Sequence, residues 1–160
     1  PRLARSGLSN VNPAKLAHER DERVKRIAGK VDRVLVDAPC SGLGTLRRNP
    51  DLKWRQSPKA LQELQVKQAA ILDSAARLLK PGGRLVYATC SLLRAENEAV
   101  ADAFEAQQAE HFAPLAAGEL LAQAQVVGAA DLDTAGRLRL WPQRHGSDGF
   151  FAAVWQRRGI

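Results

Sequence analysis

The chain contains no methionine and only two cysteines, Cys40 and Cys90, in 160 residues. Two cysteines this far apart make neither a disulfide framework nor a zinc site, which need more ligands at closer spacing. That usage favours a reducing, cytoplasmic compartment, and no metal is expected. No apolar run approaches the ~18 residues of a transmembrane helix, so no membrane partner is expected. No basic, apolar and small-residue series at the start marks a signal peptide either. The lack of methionine, with an opening Pro1-Arg2-Leu3 that reads as mid-helix, points to a polypeptide that starts upstream.

Acidic residues are the scarcer charge. Lys and Arg number 24 against 17 Asp and Glu, for a formal charge of +7 and a pI near 10.0. This balance favours a polyanionic partner through phosphate contacts and counterion release. A soluble Arg-rich protein is the plainer alternative. Apolar residues at 45% and charged residues at 26% suit one globular domain with its own core.

Along the chain, residues 2 to 8 look like a helix end closed by Gly7 and Asn10. Residues 11 to 17 are a weak strand candidate broken by Pro13, and residues 18 to 30 are charged helix or loop. Arg33-Val34-Leu35-Val36 is a short apolar run suited to a strand buried on both faces. It stops at Asp37-Ala38-Pro39-Cys40-Ser41-Gly42. Residues 58 to 79 give the strongest helix signal, with Ser57 as a cap and Pro58 in the first turn. Lys80-Pro81-Gly82-Gly83 ends that helix, and a second buried strand, Arg84-Leu85-Val86-Tyr87-Ala88, runs into Thr89-Cys90-Ser91. Residues 94 to 108 are helical, with Glu96, Asn97 and Glu98 near the start, where carboxylates favour the dipole. Residues 109 to 136 read as a helix and loops. Two strand-like runs, 137 to 141 and 150 to 155, close an α/β pattern.

If residues 33 to 37 and 84 to 89 are parallel strands joined by one helix, the crossover is right-handed. Such strands are usually neighbours about 4.8 Å apart. Cys40 and Cys90 then fall on one edge of the sheet, beside Asp37, where open α/β sheets place their ligands. The plain reading of a free cysteine is a small buried hydrophobe. Two of them, each just past a strand end, favour chemistry.

Asp37-Ala38-Pro39-Cys40-Ser41-Gly42 and Thr89-Cys90-Ser91 closely resemble motifs IV and VI of the RsmB/NSUN (Sun/Fmu-like) family of RNA cytosine-C5 methyltransferases. Three further segments are similar, in order: Arg47-Arg48-Asn49-Pro50-Asp51-Leu52-Lys53-Trp54-Arg55, Leu79-Lys80-Pro81-Gly82-Gly83, and Arg139-Leu140-Trp141-Pro142 through His145 and Asp148-Gly149-Phe150-Phe151. A Pro-Pro-Tyr-type amino-methyltransferase motif is absent, which argues against methylation of an exocyclic amine.

The resemblance implies a Rossmann-like class I methyltransferase sheet and S-adenosyl-L-methionine as cofactor. Residues 1 to 160 would be the C-terminal part of one domain, with the N-terminal strands and the Gly-rich cofactor loop lying before them. It implies Cys90 as the nucleophile that adds to cytosine C6 and makes C5 reactive towards a methyl donor. Cys40 would then aid product release. Asp37 would hold the cytosine edge or the amino-acid end of the cofactor. The implied substrate is RNA, ribosomal RNA first and transfer RNA second, with the target base out of any stack.

Arg47, Arg48, Lys53 and Arg55 are candidate phosphate contacts, or a solvated charged loop. Trp54 is a stacking platform or a packing aromatic. His145 and Asp148 favour structural hydrogen bonding over catalysis. His18, Glu19 and Asp21 compete for a further cofactor contact. With the Gly-rich loop absent, this stretch alone is expected to bind cofactor poorly. A non-catalytic RNA-binding module and a thiol redox protein are the competing function classes.

Overall fold

The computed structural model describes residues 7–159. The expected helix end at residues 2 to 8 therefore lies outside them, save for Gly7 and Leu8. Six α-helices occur among the described residues: α1 (Glu22–Lys25), α2 (Leu52–Arg55), α3 (Pro58–Ala76), α4 (Glu98–Gln108), α5 (Ala117–Gln123) and α6 (Pro142–His145). Six strands, β1 (Val31–Asp37), β2 (Leu79–Thr89), β3 (Phe112–Leu115), β4 (Asp133–Thr134), β5 (Arg137–Leu140) and β6 (Phe150–Arg157), form one mixed sheet. Its order is β1-β2-β6-β5-β4, with β3 also paired to β6.

Local chemistry accounts for the strand–helix–strand unit that places the two cysteines. Ser57 Oγ accepts from the Ala60 amide at 3.1 Å, and Pro58 sits in the first turn of α3, where its missing N–H is no loss. The helix buries Gln68, Leu72, Ala75 and Ala76. β1 and β2 pair in parallel from Arg33↔Arg84 to Asp37↔Ala88, so their carboxyl ends lie side by side. β6 runs antiparallel on the other side of β2 and carries Phe151 and Trp155, both fully buried. The Phe104 ring lies 4.8 Å from that of Trp155 and 5.4 Å from that of Phe112, tying α4 and β3 to the same core.

Four expectations are corrected. Residues 11 to 17 form no regular element; Val11 and Leu16 stay exposed, and no neighbouring strand among the described residues offers them a ladder. β1 is not buried on both faces: Val36 is buried, whereas Leu35 is 68% exposed. Alternation explains this, because α3 covers the face of Val34 and Val36 and nothing among the described residues covers the other. Lys80-Pro81-Gly82-Gly83 does not separate helix from strand but lies inside β2, as an irregularity where the register with β1 shifts. A Cβ on Gly83 would lie 2.8 Å from the Lys80 carbonyl oxygen, so the chain folds back on itself only with glycine there. Finally, residues 109 to 136 hold strands β3 and β4 besides a helix. Pro114 disguised β3; it sits on a strand paired on one side only, where a missing donor is tolerated.

Candidate active site

Cys40 follows β1 and Cys90 follows β2, and their sulfurs lie 3.5 Å apart. The sheet continues into the turns that carry them. The Ala38 amide donates to the Ala88 carbonyl at 2.9 Å, the Gly44 amide to the Cys90 carbonyl at 2.8 Å, and the Gly149 amide to the Gly44 carbonyl at 2.8 Å. Three chain segments, the Cys40 turn, the Cys90 turn and the turn before β6, are thus joined through Gly44. A Cβ at that residue would lie 2.2 Å from the Gly149 oxygen and 2.7 Å from the Cys90 oxygen.

A set of polar side chains ties the two cysteine turns together. Fully buried Glu96 accepts from the Ser41 amide at 2.8 Å, from Ser41 Oγ at 2.5 Å and from Ser91 Oγ at 2.5 Å. Gln68 Nε2 donates to the same carboxylate at 3.1 Å and to the Pro39 carbonyl at 2.9 Å. Asn97 donates to the Ser91 carbonyl at 2.9 Å and accepts from Thr89 Oγ1 at 2.5 Å. Tyr87 Oη donates to the Glu96 carbonyl at 2.6 Å. Sequence reading missed this set, because it placed Glu96 and Asn97 in the first turn of a helix that begins only at Glu98. The available signal was a carboxylate and an amide just after a Thr-Cys-Ser turn, where an adjoining sheet edge also ends in a serine.

The two thiols do not share their proton equally. The hydrogen bond with Cys40 pulls the Cys90 thiol down to about 7, against burial and against the negative charges of Asp37 and Glu96. The same bond, with burial, pushes Cys40 up and keeps it protonated. Cys90 is therefore the more acidic thiol of the pair, and the thiolate is the nucleophilic form. Alkylation of Cys90 by iodoacetamide is expected to be slow below pH ~7 and to rise through that value as the thiol ionises, well below the ~8.5 of a free cysteine. Peptide mass spectrometry over a pH series checks this; a midpoint at or above that of free cysteine would contradict it.

Asp37 is exposed at the end of β1 and shares with Leu16, Glu19, Val36 and Pro39 a groove of about 290 Å³. Of the three competing residues, Asp21 caps α1 by accepting from the Ala17 and Arg23 amides, and His18 Nδ1 accepts from the Arg20 amide at 3.1 Å. Only Glu19 of the three lines the groove with Asp37.

Arg48 is ion-paired to Asp148, Arg47 Nε lies 3.8 Å from the same carboxylate, and Arg47 also donates to the Gly146 carbonyl at 2.7 Å. Arg55 pairs with Asp51 at 2.6 Å. Lys53 lies over the Trp54 ring at 4.5 Å, and Trp54 is 79% exposed, so it is no packing aromatic. His145 Nδ1 accepts from the Trp141 amide at 2.8 Å. Both His145 and Asp148 thus hold the turn before β6, the structural alternative.

A family model described as "16S rRNA methyltransferase RsmB/F" matches residues 5–156. The chain belongs to that family. A probable ribosomal RNA small subunit methyltransferase B of Synechocystis is 46% identical over 123 residues, covering 77% of this chain and 26% of the relative. The ribosomal RNA small subunit methyltransferase F of Escherichia coli is 41% identical over 155 residues, covering 94% and 30%. The crystal structure of PH0851 superimposes with a TM-score of 0.81 at 33% identity, covering 96% of this chain and 32% of that one. The chain spans about a quarter to a third of the length of these two relatives and of that solved structure, with the Rossmann-like methyltransferase fold expected from the resemblance.

Proposed function

We propose that this chain is the C-terminal, thiol-bearing part of an S-adenosyl-L-methionine-dependent methyltransferase domain that methylates cytosine C5 in RNA, with ribosomal RNA as the substrate. One observation carries the reading: two cysteine sulfurs 3.5 Å apart at the carboxyl edge of the sheet. The side of β1 that no strand among the described residues pairs and the exposed Leu35 support further strands beyond that edge, which would complete the domain.

The residues present fit one wall of a cofactor site. The Asp37 and Glu19 carboxylates beside an apolar groove suit a cationic, partly aromatic ligand. A glycine-rich loop to receive its methionine end is not among them. Bound there, S-adenosyl-L-methionine supplies the methyl group.

The chain's own residues do the rest. Cys90 Sγ adds to C6 of an unstacked cytosine, and the C5=C6 electron pair moves towards C5, which becomes the nucleophile. Asp37 holds the cytosine edge or the amino end of the cofactor. With Cys90 tied up as a thioether, the thiolate that kept the Cys40 proton in place is gone. Cys40 then loses that proton to solvent and takes the one on C5. The C–H electrons re-form C5=C6, the C6–S bond breaks, and Cys90 leaves as thiolate. The resting pair is restored. Lys53, exposed Trp54 and the arginines at positions 47, 48 and 55 lie just past the Cys40 turn, where RNA phosphates and bases would pass.

The test uses the complete protein with S-adenosyl-L-methionine carrying a labelled methyl group and unmodified 16S rRNA or transfer RNA. Label recovered as 5-methylcytidine from the ribosomal RNA is expected. Label on an exocyclic amine would overturn the chemistry, and label on transfer RNA alone would replace the substrate. No label, with RNA retained on the protein, would favour a binding module.

A further inference from the structure

We infer that Glu96 is the positioning residue of the thiol pair: its buried carboxylate draws the turn carrying Cys40 and the turn carrying Cys90 onto one point, so that Cys40 presents its S–H to Cys90. The donors are placed to do this. Ser41 directly follows Cys40 and gives Glu96 both its amide, at 2.8 Å, and its hydroxyl, at 2.5 Å. Ser91 directly follows Cys90 and gives its hydroxyl at 2.5 Å. The two hydroxyls meet at 3.1 Å over the same carboxylate oxygen. Gln68 of α3 fills the remaining acceptor position and anchors the Pro39 carbonyl as well. Each thiol is thus one residue from a side chain held by Glu96.

A carboxylate used only to hold the fold together would be a costly choice. Burying its charge requires desolvation that apolar packing avoids, and that charge opposes ionisation of Cys90. What a carboxylate alone offers is acceptance at both oxygens with no donor of its own. A glutamine amide would turn an N–H towards either the Ser41 amide or the two hydroxyls. The groups facing the pair are few. Asp37 at the end of β1 and Glu96 ahead of α4 both push the Cys90 thiol up, and the Cys40 donor is what outweighs them. Tyr87 of β2 donates to the Glu96 backbone carbonyl, away from the sulfurs.

Two opposite outcomes separate positioning from charge. If Glu96 acts by aiming Cys40, its loss weakens the donor and raises the Cys90 titration. If Glu96 acts only as a nearby charge, its loss lowers it. Cys90 alkylation against pH is therefore measured in the complete protein for Glu96→Gln, Cys40→Ala and the double variant, with peptide mass spectrometry to report Cys90 alone. Glu96→Gln is expected to shift the midpoint up by about one unit, or roughly tenfold slower alkylation at pH values below it. In the Cys40→Ala background the same change should bring no further rise. A midpoint that stays or falls in Glu96→Gln, or rises equally without Cys40, would overturn the inference. If Glu96→Gln is unfolded at the assay temperature by thermal melting, Ser41→Ala takes its place: a smaller upward shift supports the inference and an unchanged midpoint overturns it. No RNA or cofactor enters this assay, so its failure is distinct from a failure of the proposed function, on which only the purpose of the thiolate depends.

Discussion

Cys90→Ala is expected to reduce methyl transfer by the complete protein by roughly 10⁴-fold or more, the scale seen when a covalent nucleophile is removed. The fold should survive. Cys90 is only partly buried, and its thiol bonds to Cys40, while the bonds that fix its turn come from its backbone carbonyl and from Ser91. A methylation time course and a thermal melt on the same preparation check both halves. Lost activity with an unaltered melt places the defect in the chemistry. Activity within about tenfold of the parent would remove Cys90 as nucleophile.

The second large effect is on stability. Gly44→Ala is expected to cost more than ~3 kcal/mol, among the larger single-residue losses. The added Cβ would press into two backbone carbonyls, those of Gly149 and Cys90, at 2.2 and 2.7 Å. Neither can rotate away as a side chain would. Relief requires the turn before β6 to part from the Cys40 turn, breaking the 2.8 Å bond between Gly149 and Gly44 and bringing down the Arg47 and Arg48 contacts with Asp148. Denaturant unfolding of the complete protein measures this. Gly42→Ala is a useful contrast, since Gly42 has φ of 72° and a Cβ there would meet side-chain atoms alone, Leu52 at 3.1 Å and Thr45 at 4.0 Å; its cost is backbone strain of about 1 kcal/mol or more. A Gly44→Ala loss no larger than that of Gly42→Ala would mean that the three turns are not rigidly joined.

The part of the site carried by local pattern was legible in the sequence. An apolar run that ends in proline and glycine is a strand with a turn at its carboxyl end, and the capped helix between two such runs makes them parallel neighbours. Cys40 and Cys90 then had to meet, and they do. Glu96 was hidden for the opposite reason. A carboxylate two residues before a helix reads as a favourable charge for the helix dipole. Its burial depends on donors from Ser41 and Gln68, which are distant in sequence. Arg47 and Arg48 look like free cations until Asp148 is brought beside them across the fold. Leu35 misled in another way: its apolar character suits a covered strand, and the cover is not among the described residues.

The most direct test is covalent trapping. The complete protein carrying Cys40→Ala, Cys90→Ala or both is incubated with 16S rRNA and S-adenosyl-L-methionine, then resolved under denaturing conditions. With Cys40 absent the methylated adduct has no thiol to take the C5 proton, so Cys40→Ala is expected to accumulate an RNA–protein species. That species should vanish when Cys90 is also replaced. An adduct that persists in the double variant, or an active Cys40→Ala protein that forms none, would contradict a mechanism in which Cys90 attacks and Cys40 releases.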